Sequence, residues 1–330
     1  MSSVLSTHQH ELIHDASVGL GSLSALVSLL VIYVHVRLRL SKRPRDDPVL
    51  WLSVVCFFAP LSNMGIGRRS DPLCAMEAVA NQFFYLASFL WVSCIAHQLY
   101  GVIVWSRTLH FRENMPVYHV FSWGIPSATV SLLLFLGQVQ TDSSAEYDWC
   151  WIRPGPWRFA LFYIPLIILL VLNALAYINI SVTVYRRYRQ NLLEAGQATP
   201  SSLGSRLLTL NWGLRASLYL FVFVVTRTGS IANRFQELAH PENPIFALRM
   251  MHVVTQSLQG VLYGIVYFMN ESVGRRLIDL IRRRLRGEEE DQMGMIPAQD
   301  FAFPYEQDSA ETTSIYDWNR QWDEDSEVSD

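Results

Sequence analysis

Few side chains in this sequence are placed to make or break a covalent bond. It contains no HExxH, no GxSxG, no P-loop and no CxxC. Zinc-assisted hydrolysis, serine acyl transfer, phosphate cradling and dithiol redox chemistry therefore lack their usual frames. His8, His10 and His14 cluster near the start, but nothing nearby completes a metal set, so they read as solvated. No enzyme activity and no cofactor are expected. What asks for a physical account is a set of polar and ionisable residues inside long apolar runs. At the helical period, Glu77, Asn81, Phe84, Ser88, Trp91 and Ile95 share one face. Arg249, His252, Gln256, Gln259 and Tyr263 form a second stripe, and Arg227, Ser230 and Arg234 a third. A charge held at mid-bilayer costs at least about 2.5–3.5 kcal/mol on insertion scales, so its retention points to function. Two readings are open. The stripes are either a hydrogen-bond network that only holds helices together, or the lining of one cavity. In the cavity reading basic groups outnumber the acid, which favours a small polar or anionic ligand. Glu77 is the only carboxylate in any apolar run, with Arg227, Arg249 or His252 as its expected counter-charge.

The elements that must carry these stripes are membrane helices. Of 330 residues, 51% are hydrophobic and only 17% charged, against about 25% charged in soluble domains. Seven runs are long enough to cross a bilayer: about 16–36, 48–66, 74–105, 116–137, 157–185, 214–234 and 246–269. The sixth, with Arg227, and the seventh, with His252, Gln256 and Gln259, are weak by hydropathy alone. The loop charges decide the count. With the N-terminus outside, inner segments hold 18 basic residues and outer segments six, as the positive-inside rule asks. An even number of spans would put the basic block after the last helix outside. Residues 1–15 carry no Lys or Arg, and the first apolar run is too long for a signal peptide, so it reads as a retained helix. Pro60, Pro126 and Pro165 mark kinks. A long inner loop is expected over 186–211, with residues 195–204 a flexible insert between two arginine-bearing helix ends.

The chain thus divides into a short extracellular N-terminus (1–15), a seven-helix bundle (16–270), an amphipathic interfacial helix (271–287) and an acidic cytoplasmic tail (288–330). The third rests on Val273, Leu277, Leu280 and Ile281 opposite Arg275, Arg282 and Arg286. The tail holds 14 of the 29 acidic residues and one of the 26 basic ones, too polar to fold. Its Ser309, Thr312, Thr313 and Ser314 make it a docking segment for a kinase or arrestin, or simply a solvated end. Cys56 and Cys94 fall mid-span, where cysteine packs as a small apolar group. That leaves Cys74, at the outer start of the third helix, and Cys150, in the outer loop between Trp149 and Trp151. Both face the oxidising side and are expected to bridge.

Seven spans, a third-helix cysteine tied to the second outer loop, and a basic interfacial helix together resemble a G-protein-coupled receptor. The rhodopsin-like switches are missing: the third helix ends Tyr100-Gly101-Val102 without Asp/Glu-Arg-Tyr, and the seventh has no Asn-Pro-x-x-Tyr. Ser88–Tyr100 (SFLWVSCIAHQLY) and Trp149–Ile152 (WCWI) are instead similar to the slime-mould cyclic AMP receptors and their adhesion and secretin-like relatives. The resemblance continues through Ser122-Trp123-Gly124 with Pro126, Arg227 with Ser230, and His252 with Gln259-Gly260. It implies an all-α plasma-membrane receptor that activates a heterotrimeric G protein on binding an extracellular ligand. Arg107, Arg186, Arg187, Arg275 and Arg276 are the expected G-protein or lipid contacts, and His97 and Tyr100 the candidate activation switch. Glu77, Asn81, Ser88, Trp91, Trp149, Trp151, Arg227, Arg249, His252, Gln256 and Gln259 are the candidate ligand residues. No nucleic-acid partner is expected. A retinal pigment is excluded because the only lysine, Lys42, lies in an inner loop. A small transporter or a non-signalling seven-helix protein is the alternative, though no internal repeat is evident.

Overall fold

The computed structural model describes residues 6–37, 47–64, 71–105, 111–139, 150–153, 155–194, 200–240 and 245–269. Helices account for nearly all of them. They are α1 (Thr7–Arg37), α2 (Pro48–Leu61), α3 (Asp71–Ile103), α4 (Phe111–Phe135), α5 (Pro156–Arg158), a π-helical turn (Phe159–Tyr163), α6 (Ile164–Glu194), α7 (Pro200–Ala239), α8 (Phe246–Ser257) and α9 (Gln259–Phe268). α5, the π turn and α6 run on as one rod. α8 and α9 make another, broken at Leu258. The described residues therefore form seven rods of alternating direction, an all-α membrane bundle. Four rods are long and apolar enough to cross a membrane by length and composition, while α2 and α9 are shorter apolar helices. Apolar side chains such as Leu26, Val120, Phe135 and Leu172 stand exposed on the outer faces, as lipid-facing positions should.

Local chemistry sets several helix ends. Ser6 and Gln9 form a reciprocal capping box: Ser6 N–H donates to Gln9 Oε1 at 2.9 Å and Gln9 N–H to Ser6 Oγ at 3.3 Å. α1 accordingly begins at Thr7, nine residues before its apolar run. Asp47 caps α2, accepting from Val49 N–H at 2.8 Å, with Pro48 in the first helical position. α4 ends in a Schellman turn. Gln138 N–H reaches Leu133 O at 2.9 Å and Gly137 N–H reaches Leu134 O at 3.1 Å, with Gly137 at φ +61°.

The inner loop expected over 186–211 is helix wherever it is described. α6 continues to Glu194 and α7 starts at Pro200, so both rods outrun their apolar spans. The 16 residues from Arg186 to Ser201 are too polar to read as membrane, which says nothing against helix. Residues 195–199 lie outside the described set, as do the interfacial helix and tail expected after residue 270.

α3 occupies the centre and packs against α2, α4, α6 and α7. Its 33 residues span about 50 Å, more than the roughly 30 Å hydrocarbon core. α1 closes the ring against α8 and α9. There Gly260 and Gly264 admit α1 so closely that a Cβ on either would stand 2.3 Å from Ser24 Oγ or Val27 Cγ1 respectively. The break at Leu258 lets Gly260 N–H donate to Ser24 Oγ at 2.9 Å.

Candidate functional site

Three polar levels stack along the bundle, beginning at the end where α3 starts. Cys74 and Cys150, 76 residues apart, are disulfide-bonded with their Cα atoms 5.3 Å apart. Two α3 turns further in, Asn81 Nδ2 donates to Cys150 O at 3.4 Å and to Asn63 Oδ1 at 3.3 Å. Ser62 Oγ donates to Asn81 Oδ1 at 3.2 Å. The same loop pairs with the end of α4 through an antiparallel bridge between Val139 and Ile152, and Arg153 N–H donates to Gln138 O at 2.8 Å. These ties seat Trp151, buried, edge-on to Phe162 at 4.7 Å and to Tyr163 at 5.8 Å. The guanidinium carbons of Arg158 and Arg234 lie 5.0 and 5.7 Å from its ring centroid, a two-cation arrangement on one indole. Arg158 also donates from Nε and Nη2 to Ile152 O. Glu237 gathers the remaining charge, with Arg234 and Arg249 as ion-pair partners and Asn233 Nδ2 donating at 2.9 Å.

The fifth rod meets this level through its π turn. Pro165 has no N–H to offer Leu161 O four residues back, and Gln82 Nε2 of α3 donates to that carbonyl at 3.1 Å.

The middle level is centred on Arg227, 1% exposed. Its guanidinium carbon sits 4.6 Å from the Phe89 ring centroid and 5.5 Å from that of Tyr85. Gln259 Nε2 donates to Ser88 Oγ at 3.4 Å and Ser88 Oγ to Tyr85 O at 2.7 Å. Beside them Gln256 Oε1 meets His252 Nε2 at 2.9 Å and Ser230 Oγ at 3.4 Å. Tyr263 stacks on Tyr219 at 5.8 Å. Side chains of α3, α7, α8 and α9 thus interlock, so displacement of any one rod breaks a bond to another.

Several expectations need correction at this point. Arg227 does not pair with Glu77, because the rings of Tyr85 and Phe89 cover it instead. Glu77 is buried near the disulfide end. Arg249 pairs with Glu237, a carboxylate that lay just beyond the expected end of its helix. Asn81, Ser88 and Trp91 do not face one cavity. Asn81 turns to the loop and Ser88 to α9. Trp91, fully buried, turns to Trp51, His119 and Trp123 of α2 and α4 at centroid distances of 6.2, 5.1 and 5.9 Å. A helix ringed by neighbours has no single inward face. The Arg227, Ser88 and Gln259 group is also closed rather than open.

At the third level, His97 Nδ1 meets Tyr118 OH across α3 and α4 at 2.8 Å, and Tyr100 packs edge-on to Trp105 at 5.1 Å. Nearby, His35 lies 3.6 Å from Asp47 and 3.4 Å from Tyr267 OH. Arg186 is exposed and Arg187 half-buried on α6. Trp149, Arg107, Arg275 and Arg276 lie outside the described residues. Sequence reasoning missed Tyr85, Arg158, Tyr163 and Glu237. The spacing of Arg234 and Glu237 carried a signal for the last, since i and i+3 face each other on a helix. Nothing in this arrangement joins a nucleophile to a base. What it holds together is guanidinium groups on aromatic faces.

Residues 16–262 match the model of the family described as 7 transmembrane receptor (Secretin family). Among curated proteins, the chain is 27% identical over 237 residues to cyclic AMP receptor-like protein A of Dictyostelium discoideum, covering 71% of this chain and 58% of that one. It is 26% identical over 210 residues to G-protein coupled receptor 1 of Arabidopsis thaliana, covering 62% of each. It is 22% identical over 247 residues to probable G-protein coupled receptor Mth-like 11 of Drosophila melanogaster, covering 71% of this chain and 44% of that one. The chain therefore spans roughly half to three-fifths of the length of these relatives.

Proposed function

Because the chain belongs to the secretin family of seven-transmembrane receptors, a family of receptors rather than enzymes, we propose that it senses a small extracellular ligand and activates a heterotrimeric G protein. The observation that carries this reading is the interlocked middle level, where Arg227, Ser88, Gln256, Gln259 and His252 tie α3, α7, α8 and α9 together beneath the Trp151 loop. A ligand that displaces one of these bonds shifts the balance between two rod arrangements. The unbalanced charge of Arg227 favours a polar or anionic ligand, with Trp149, Trp151 and Arg249 completing the route to it. In this reading the chain lies in the plasma membrane with its N-terminus outside and C-terminus inside, as its loop charges favour. Arg107, Arg186, Arg187, Arg275 and Arg276 meet the G protein or lipid headgroups, and the acidic tail recruits a kinase or arrestin. His97 and Tyr100 stand in for the missing Asp/Glu-Arg-Tyr switch. Within the family we place the chain with the G-protein-coupled receptor 157-like orphan receptors, on Ser88-Phe89, Ser122-Trp123-Gly124 and Trp149–Ile152.

The test is a panel of G-protein dissociation reporters in cells expressing the chain with and without residues 288–330, at matched surface levels. Dissociation of at least one G protein above mock-transfected cells is expected. No dissociation in any arm, or solute flux independent of G proteins, overturns the reading.

A further inference from the structure

Arg227 is 1% exposed inside the bundle and, among the described residues, pairs with no carboxylate there. Its Nε and Nη2 have no hydrogen-bond partner. Phe89 and Tyr85 cover it with their rings, and Phe223 and Leu220 are fully buried nearby on α7. Tyr263, Tyr85 and Cys56 are the polar side chains within electrostatic reach of it. The hydroxyls of Tyr85 and Tyr263 are buried and meet no acceptor within ordinary hydrogen-bond geometry, with the amide side chains of Gln256 and Gln259 beside them. Two guanidinium nitrogens and two phenol hydroxyls therefore offer protons at one level of the bundle. A ring face attracts a cation but neutralises nothing, and a water molecule would satisfy the protons while leaving the charge. An unpaired cation in a bilayer interior calls for an opposite charge.

We propose that Arg227, Tyr85 and Tyr263 form a binding site for a compact monoanion, either a halide ion or a single carboxylate group. One unpaired guanidinium sets the charge at minus one. The Phe89 and Tyr85 rings lying against the guanidinium, itself 1% exposed, leave room only for a small ion, and the two phenols supply directional donors that a bare ion pair would lack. This deepens the proposed ligand site and rests on that reading only for the route by which the anion arrives.

The experiment is thermal melting of the purified full chain in detergent. Chloride or formate is titrated into sodium gluconate at constant ionic strength, gluconate being too large for the enclosure. The melting temperature is expected to rise saturably with chloride, formate or both. Arg227→Gln should lie flat. Tyr263→Phe and Tyr85→Phe, which keep the packed rings, should each raise the half-saturating concentration by about tenfold. Should Arg227→Gln fail to fold, the two phenylalanine variants carry the test. A response to chloride alone assigns an inorganic ion, and a response to formate alone assigns a ligand's carboxylate. Equal melting in all three salts overturns the site. So does an anion response undiminished in both Tyr→Phe variants. Signalling is not read, so failure here leaves the G-protein assignment standing, and failure of the reporters leaves the site standing.

Discussion

Replacing Gly260 by alanine tests the closest helix approach in the bundle. The new Cβ would stand 2.3 Å from Ser24 Oγ, 2.6 Å from Ser28 Oγ and 3.0 Å from Ser24 O, whereas ordinary contact begins near 3.4 Å. Ser24 Oγ must retreat by about 1 Å, beyond reach of Gly260 N–H, which it now accepts at 2.9 Å. Leaving that buried N–H unpaired costs about 1–3 kcal/mol, and overpacking about 1–3 kcal/mol more. Alanine returns up to about 1 kcal/mol of helix propensity. The net loss is about 3 kcal/mol, on the order of 10 °C in melting temperature if the scale for soluble domains of this size applies. Removing both hydroxyls, in Ser24→Ala/Ser28→Ala/Gly260→Ala, leaves only the carbonyl contact and should recover at least half of the loss. Gly19→Ala and Gly124→Ala, with nothing within 4 Å of the added carbon, serve as controls and should melt at or slightly above wild type. Fluorescence-detected size-exclusion melting of the detergent-solubilised protein reads all four. If Gly260→Ala melts with the controls, or if the serine changes deepen the loss, the close-packing argument is wrong.

Gln82→Leu should destabilise by about 1–3 kcal/mol by orphaning Leu161 O. Adding Pro165→Ala, which restores an N–H to that carbonyl, should return most of the loss in the same melting assay; no rescue would mean Gln82 acts elsewhere. Cys74→Ser, Cys150→Ser and the double variant should lose surface expression equally, since they remove one bond; a worse double would show that the two thiols act separately. Burial raises the Asp47 carboxyl above its ordinary range, opposed in part by His35 and by the Val49 N–H. A raised carboxyl stabilises the fold at low pH and loses that contribution as pH rises from the ordinary carboxylate range through the raised value. Tyr267 and Tyr219 face the same carboxylate. Wild type should therefore lose melting temperature relative to Asp47→Asn, which retains a cap oxygen, as pH rises above about 4; parallel profiles would count against it. His97→Ala and Tyr118→Phe should raise basal G-protein signalling to a common level, with no further rise in the double variant. Unchanged basal activity at equal expression would leave their 2.8 Å bond a packing contact.

Apolar runs and loop arginines made the seven rods legible, because a bilayer imposes length and charge sidedness on any sequence that crosses it. The disulfide was legible because Cys56 and Cys94 fall mid-span, leaving Cys74, at the outer start of the third run, and Cys150, in the outer loop. Helix ends were harder. α1 hides its start in Ser6 and Gln9, a polar cap ahead of the membrane span. α6 and α7 extend through polar residues that hydropathy cannot separate from loop. Least legible was the pairing at the site. Helical phase placed Glu77, Ser88 and Trp91 on one face of α3, but phase within a helix does not say which neighbour stands opposite. α3 has neighbours on every side, so Trp91 met an aromatic box and Arg227 met rings rather than the carboxylate.

The two ties on the loop after α4 also bear on how the protein can be handled. Val139 and Cys150 bracket ten residues, 140–149, and each bracket is fixed independently, one by pairing with Ile152 and the other by its bond to Cys74. With both anchors held, doubling the chain between them costs only about 0.6 kcal/mol of closure entropy. An epitope or a small fluorophore-binding peptide inserted ahead of Trp149 should leave Trp151 on its two arginines, labelling the protein beside the site.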